Sequence, residues 1–390
     1  MTLKEKPDIA VFHAFFNHKG GGEKLVFELR NRFKADLFSA SVNFNNYGRG
    51  KEDDFSKELF DSRYNFDYFH SDGNNSITRI LKRLYFFLFS PKVKQLAHYK
   101  TVIFSGNVMF VQRRLRKIIK RKGCNTRLVM YCHTPPRKLT DQFQVFVNNV
   151  PALIRPFFRI GGKFVLSQYI KDLRQMDSVI TNSANTRKRL LDYTGVDAVI
   201  VNPPINVDKF KFISQGDYYL SYARLDDNKR IPLIIEAFSR MPGKKLIICS
   251  TGPLRPWLEK ELEQRKLTNV IYEGLVTDER LFELVGKCFA GIYIPVNEDF
   301  GMTQIEIMSA GKPVIGVKEG GLTETIIDGE TGILIKENPS ADDLIEAIDK
   351  LTPALAASMK DKCIENALKY SSNNFFAKMK IELNNMGALN

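Results

Sequence analysis

The strongest constraint on this chain is a rhythm: short β-rich runs alternate with amphipathic stretches of helical length from end to end. In the first half the runs fall at 9–15, 36–42, 101–105, 128–131, 179–182 and 198–201; in the second, at 218–223, 245–249, 270–272, 290–295, 314–317 and 332–335. Several are apolar without a break, the pattern of parallel strands covered on both faces. Helical stretches at 231–240, 254–266, 278–287, 303–310 and 341–351 separate the second set. The series halts at NPPINVDKF, with Pro203 and Pro204 adjacent, and then restarts. That predicts two doubly wound α/β domains, 1–203 and 204–371, with a C-terminal helix over 372–390 packing back on the first. A chain of 390 residues exceeds what one core usually serves. Ligands of such sheets bind beyond the carboxyl ends of the strands, so a central cleft faced by both domains is the expected site.

Charge is unevenly distributed. Residues 1–200 carry 35 Lys and Arg against 17 Asp and Glu, a net of +18; residues 201–390 carry 23 against 27, a net of −4. Between Gly73 and Thr140 there are sixteen basic residues and no acidic one, so the first half is built to face something anionic. No run reaches the length of a membrane span and the start, MTLKEKPDIA, does not read as a signal peptide. Five cysteines without CxxC spacing read as reduced cytosolic thiols, with neither disulfides nor zinc.

The chemistry concentrates in EDFGMTQIE, residues 298–306, at the end of an expected strand. Gly301 lets the backbone approach a ligand, and a helix starting near Met302 or Thr303 points its first N–H groups outward, which suits a phosphate. Glu298 on the loop and Glu306 one turn into the helix only accept hydrogen bonds when ionised, which suits sugar or ribose hydroxyls. A nucleoside diphosphate sugar has that arrangement.

At this point the sequence resembles family 4 of the retaining glycosyltransferases (glycosyl transferases group 1), which have the GT-B fold. The E-x(7)-E spacing carries the resemblance, and SYARLDDNKRIPLIIEAF, STGPL, YEGLVTDERLFEL and EGGLTETIIDGETGIL extend it in order through the second half. HKGGGEKL, DSVITNSANTRKRL and VNPPINVDKF extend it through the first, and YCHTPPR (131–137) resembles a motif of the lipopolysaccharide and lipid-linked-oligosaccharide mannosyltransferases. The resemblance implies that Glu306 holds the ribose, Glu298 the transferred sugar, and the N–H groups of Phe300, Gly301, Met302 and Thr303 the sugar and β-phosphate. It assigns Arg224 and Lys229 to the diphosphate, Gly21 and Gly22 to a loop against diphosphate or acceptor, and His133 to the sugar's reacting face. The implied reaction is front-face transfer with retention, assisted by charge stabilisation and without cofactor or metal. In keeping with that, the sequence has no D-x-D, the motif by which the other major glycosyltransferase fold holds its metal.

Partners follow from the same reading: a GDP- or UDP-sugar donor, with GDP-mannose favoured by YCHTPPR, and a lipid-linked or glycan acceptor. Three basic, aromatic-rich clusters predict peripheral association with the cytoplasmic face of an anionic membrane: ITRILKRLYFFLF (77–89), QRRLRKIIKRK (112–122) and ALIRPFFRIGGKF (152–164). A transferase with a soluble acceptor is the alternative. A basic nucleic-acid binder is a remote one that leaves EDFGMTQIE unexplained, so no nucleic-acid partner is expected.

Overall fold

A computed structural model describes residues 7–17, 20–47, 54–61, 66–71 and 92–388. His18 and the first basic cluster, 77–89, lie outside the described residues. The chain divides into two compact units, one of Met1–Val201 with Ala377–Asn390 and one of Asn202–Phe376.

The first unit is a seven-stranded sheet in the order β3-β2-β1-β4-β5-β6-β7, every pairing parallel. Its strands are β1 (Ile9–Phe16), β2 (Asp36–Val42), β3 (Phe66–Ser71), β4 (Thr101–Ser105), β5 (Arg127–Cys132), β6 (Ser178–Thr181) and β7 (Val199–Ile200). All residues of β2 and β4 are buried, and neither sequence shows the strict apolar–polar alternation of a half-exposed strand. The sequence reading passes over β3: FDYFHS interleaves polar residues because it is an edge strand. The C-terminal helix Ser372–Asn385 reaches back to this unit, where Ser178 Oγ donates to Glu382 Oε1 (2.7 Å) and Thr101 Oγ1 to the Ala388 carbonyl (2.8 Å).

The second unit is a six-stranded parallel sheet, β10-β9-β8-β11-β12-β13. The strands are β8 (Tyr218–Ser221), β9 (Lys245–Cys249), β10 (Val270–Gly274), β11 (Ala290–Ile292), β12 (Val314–Val317) and β13 (Gly332–Ile335). β11 stops three residues before the expected Pro295. The carbonyls of Ile294 and Pro295 leave the ladder because both accept from Arg230 Nη1, each at 2.9 Å.

In both sheets the order of strand addition reverses near the centre, between β1 and β4 in one and between β8 and β11 in the other. Connections leave such a switch point on opposite faces and open a crevice at the carboxyl ends of the two strands. Each unit therefore offers one place where a ligand is expected, independently of the other.

Candidate active site

In the second unit the switch-point loops are 222–230 after β8 and 293–302 after β11. The Val296 N–H donates to the Asn228 carbonyl (2.7 Å), tying the loops together. Lys229, in the 3-10 turn Asp227–Lys229, forms an ion pair with Glu298 from the other loop. The Tyr293 phenol completes the group, donating to Glu298 Oε2 (3.0 Å) while Lys229 Nζ lies 3.2 Å from its oxygen. Burial, then Glu298, Asp226 and Glu306, push the Tyr293 hydroxyl far above its usual range, so it stays a donor. One carboxylate and one lysine thus meet at one phenol.

Glu306, in the helix Thr303–Ser309, is held in the same manner: Tyr222 OH donates to its Oε2 (2.9 Å) and also lies 3.2 Å from the Thr303 carbonyl. Burial and Glu306 keep that phenol protonated too. Neither tyrosine is a candidate in the sequence reading, because each ends an apolar strand run and looks like core. The available signal is a hydroxyl-bearing aromatic at the carboxyl end of a central strand, an apolar body with a polar tip facing the crevice.

The remaining expected residues take different positions. Arg224 is exposed, three residues past β8. Gly301 has φ +77°, and a Cβ there would lie 2.5 Å from Gln304 Oε1. Gln304 is fully buried and its Nε2 donates to the carbonyls of Phe300 and Gly301, both at 3.0 Å. Phe300 is a core side chain, 2% exposed, with its ring 5.6 Å from that of Tyr370. Met302 is the residue preceding the helix, and no side chain caps it.

A second layer, absent from the sequence reading, fixes this loop. Arg230, in the left-handed region at φ +50°, donates through Nη2 to Glu319 Oε1 (2.6 Å). Glu319 also accepts from the N–H groups of Asn297 (3.0 Å) and Asn338 (2.8 Å). Burial opposes its charge, but these donors outweigh burial and hold its carboxyl below the usual range. Gly320 follows at φ +56°, so tightly against the loop that a Cβ would strike the Glu298 carbonyl oxygen.

In the first unit the switch point gathers a different set. His13 on β1 is in register with Ser105 at the end of β4, and His133 follows β5. Ser105 Oγ lies 3.1 Å from His13 Nδ1 and 2.8 Å from His133 Nε2. A hydroxyl has one proton, so it donates to one imidazole and accepts from the other. Glu23 Oε1 lies 3.8 Å from His13 Nε2. Burial, then His13, push His133 down to about 4, leaving it neutral at pH 7. Asn182 Nδ2 donates to the His133 carbonyl (2.8 Å) and holds that loop.

Gly21 and Gly22 differ from the expected loop: they form the first turn of the helix Gly21–Phe33, preceded by Gly20. A Cβ on Gly22 would lie 3.8 Å from the His133 ring, so the helix start and His133 are neighbours. The thiols offer no nucleophile here. All five cysteines are free, and burial pushes Cys249, Cys288 and Cys363 up to about 12.

Comparisons with known proteins bear on the family and the fold. Residues 205–370 match the family model "Glycosyl transferases group 1". The alpha-1,3/1,6-mannosyltransferase ALG2 of Dictyostelium discoideum is 29% identical over 264 residues, 58% of this chain and 62% of that protein. A glycogen synthase of Mycobacterium tuberculosis is 27% identical over 174 residues, 41% of this chain and 42% of that protein. The chain thus spans less than two thirds of the length of these relatives. Among solved structures, Anabaena Alr3699/HepE in complex with UDP-glucose superposes with a TM-score of 0.71 at 14% identity, over 97% of this chain and 99% of that one. Residues 205–370 are thus similar to glycosyl transferases group 1, and the two-unit fold is of the GT-B kind.

Proposed function

We propose that this protein is a retaining glycosyltransferase that moves a hexose, mannose from GDP-mannose, to a lipid-linked or otherwise membrane-held glycan. The observation that carries the reading is the convergence of Lys229, Glu298, Tyr293, Glu306 and Tyr222 at the switch point of the second unit. Carboxylates held by phenols present lone pairs to sugar and ribose hydroxyls. Arg224 and Lys229 neutralise the diphosphate, the first as a fork and the second as a point charge. Glu306 takes the ribose, Glu298 the sugar, and the backbone of 300–303 the β-phosphate side. His133, with Gly22 beside it, is assigned to the sugar's reacting face, and Gly21 and Gly22 to the diphosphate or acceptor.

In the reaction the bond from the anomeric carbon to the diphosphate oxygen breaks as an oxocarbenium-like centre forms. The acceptor hydroxyl oxygen bonds to that carbon on the same face, and its proton passes to the departing phosphate. The chain's groups contribute positioning and stabilisation of charge developing on the diphosphate. The mannose assignment is supported by the ALG2 similarity and by YCHTPPR. A UDP-glucose donor is the second reading, supported by the glycogen synthase relative and by the ligand of the HepE structure.

The test is incubation with GDP-, UDP- and dTDP-sugars, scoring nucleotide release and thermal stabilisation. GDP-mannose should give both, Glu306→Ala should weaken donor binding, and Arg224→Ala should suppress turnover. Full activity in both variants would refute the site.

A further inference from the structure

The two described basic clusters are not equivalent. In the helix Val111–Lys122, Leu115 and Ile119 are buried, so its apolar side belongs to the core; Arg113 and Arg116 pair with Asp172 and Asp177, and Lys117, Lys120, Arg121 and Lys122 are exposed. The helix Arg155–Leu173 behaves differently. Leu153, in the 3-10 turn Ala152–Ile154 just before it, is 88% exposed, and Phe157, Ile160 and Phe164 on it are 75%, 70% and 59% exposed. At 100° per residue the three helical positions fall within about 60° of one another, a single apolar stripe. Its other side is partly covered: Phe143 packs where a Cβ on Gly162 would sit, and Phe146 meets Phe158, 41% exposed, edge-on at 6.0 Å. Packing against the fold therefore leaves the stripe outside.

The charge around the stripe is of one sign. Residues 142–171 contain no acidic residue and four basic ones, and Arg159 and Lys163 are exposed a part-turn from the stripe. Arg155 is turned inward, donating to the carbonyls of Val150 and Asn148, both at 2.9 Å. An exposed aromatic stripe flanked only by cations suits an anionic lipid surface: rings enter the acyl boundary while Arg and Lys reach the headgroups on long stems. No helix among the described residues is long and apolar enough to cross a membrane, so this surface would lie in the interface.

We propose that residues 152–164 are the membrane-docking surface of this protein, seating Leu153, Phe157, Ile160 and Phe164 in an anionic leaflet with Arg159 and Lys163 at its headgroups. This deepens the membrane-held acceptor of the reading above, yet it stands on exposure and charge that owe nothing to the donor site.

The test is co-sedimentation of the full chain with phosphatidylcholine vesicles with and without phosphatidylglycerol. Wild type should bind the anionic vesicles and lose binding at high salt. Phe157→Glu with Ile160→Glu should cut partitioning about tenfold or more. Arg159→Gln with Lys163→Gln should cut it several-fold and flatten the salt dependence. Phe157→Trp should be quenched by brominated acyl chains, against a wild type whose sole tryptophan is Trp257. Nucleotide release from the donor in the absence of acceptor should be unchanged in all of these variants; its absence in wild type as well would sink the transferase reading and leave the docking surface standing. Vesicle binding by the Glu variant at the wild-type level would overturn the proposal. So would a concentration-dependent dimer that the same variant dissolves, because the stripe would then belong to a second copy.

Discussion

Lys229 and Glu298 face each other across the switch point between β8 and β11, with the Tyr293 phenol within hydrogen-bond reach of both. The phenol orients a carboxylate and a cation that would otherwise collapse on each other in several geometries. Tyr293→Phe should therefore lower kcat by about tenfold, with a smaller change in donor KM. Steady-state kinetics on the turned-over donor read this split, and an unchanged kcat would remove Tyr293 from the site.

Tyr222 performs the matching service for Glu306. Because Glu306 is assigned to the ribose, Tyr222→Phe should act mainly on binding, raising donor KM roughly five- to tenfold, about 1 kcal/mol. Calorimetric titration with the nucleotide alone checks it. Equal affinity in variant and wild type would argue that Glu306 needs no support.

The pair Arg230–Glu319, with side chains 11% and 10% exposed, fixes the loop that carries Glu298. Arg230→Met strands a buried carboxylate and frees two carbonyls, for an expected loss of about 3 kcal/mol in urea unfolding. Arg230→Lys should recover little, because one ammonium does not span the carbonyls of Ile294 and Pro295 and the carboxylate together. Recovery by lysine to wild-type stability would show that charge alone is enough.

Gly320 and Gly329 both have positive φ, +56° and +78°, but only Gly320 has backbone where a Cβ would go. Gly329→Ala should cost about 1 kcal/mol of strain, and Gly320→Ala more, with a fall in kcat/KM as Glu298 is displaced. Thermal melts and kinetics on the two variants separate strain from displacement. Equal effects on both readouts would contradict the close approach.

His133 gives a pH signature. Its folded value, about 4, lies below the ordinary 6.5, so between those values the unfolded chain binds a proton that the folded chain does not. Stability should fall as pH drops from roughly 6.5 toward 4, by about 1–3 kcal/mol from this group, and should not respond to it above pH 7. His133→Asn should flatten that part of the curve. A profile identical to wild type would mean that the imidazole is not buried neutral.

Much of this protein was legible in its sequence. Short β-rich runs, several of them unbroken and apolar, located twelve of its strands, because parallel strands buried on both faces are predominantly apolar. Glycines, prolines and the E-x(7)-E spacing located the loops that carry Glu298, Lys229 and His133 and the helix start that carries Glu306, since such chemistry is written in residue type and order. The edge strand β3 escaped notice because an edge needs no apolar continuity. What folding alone decided is which side chains meet. Tyr293 comes beside Lys229 through sheet order, Ser105 sits between His13 and His133 through β1–β4 register, and Phe157 is left outside because Phe146 and Phe143 partly cover the opposite side of its helix. Hydrophobic pattern is a local property that a sequence records directly. Adjacency across a sheet depends on topology and register, which exist only once the whole chain is packed.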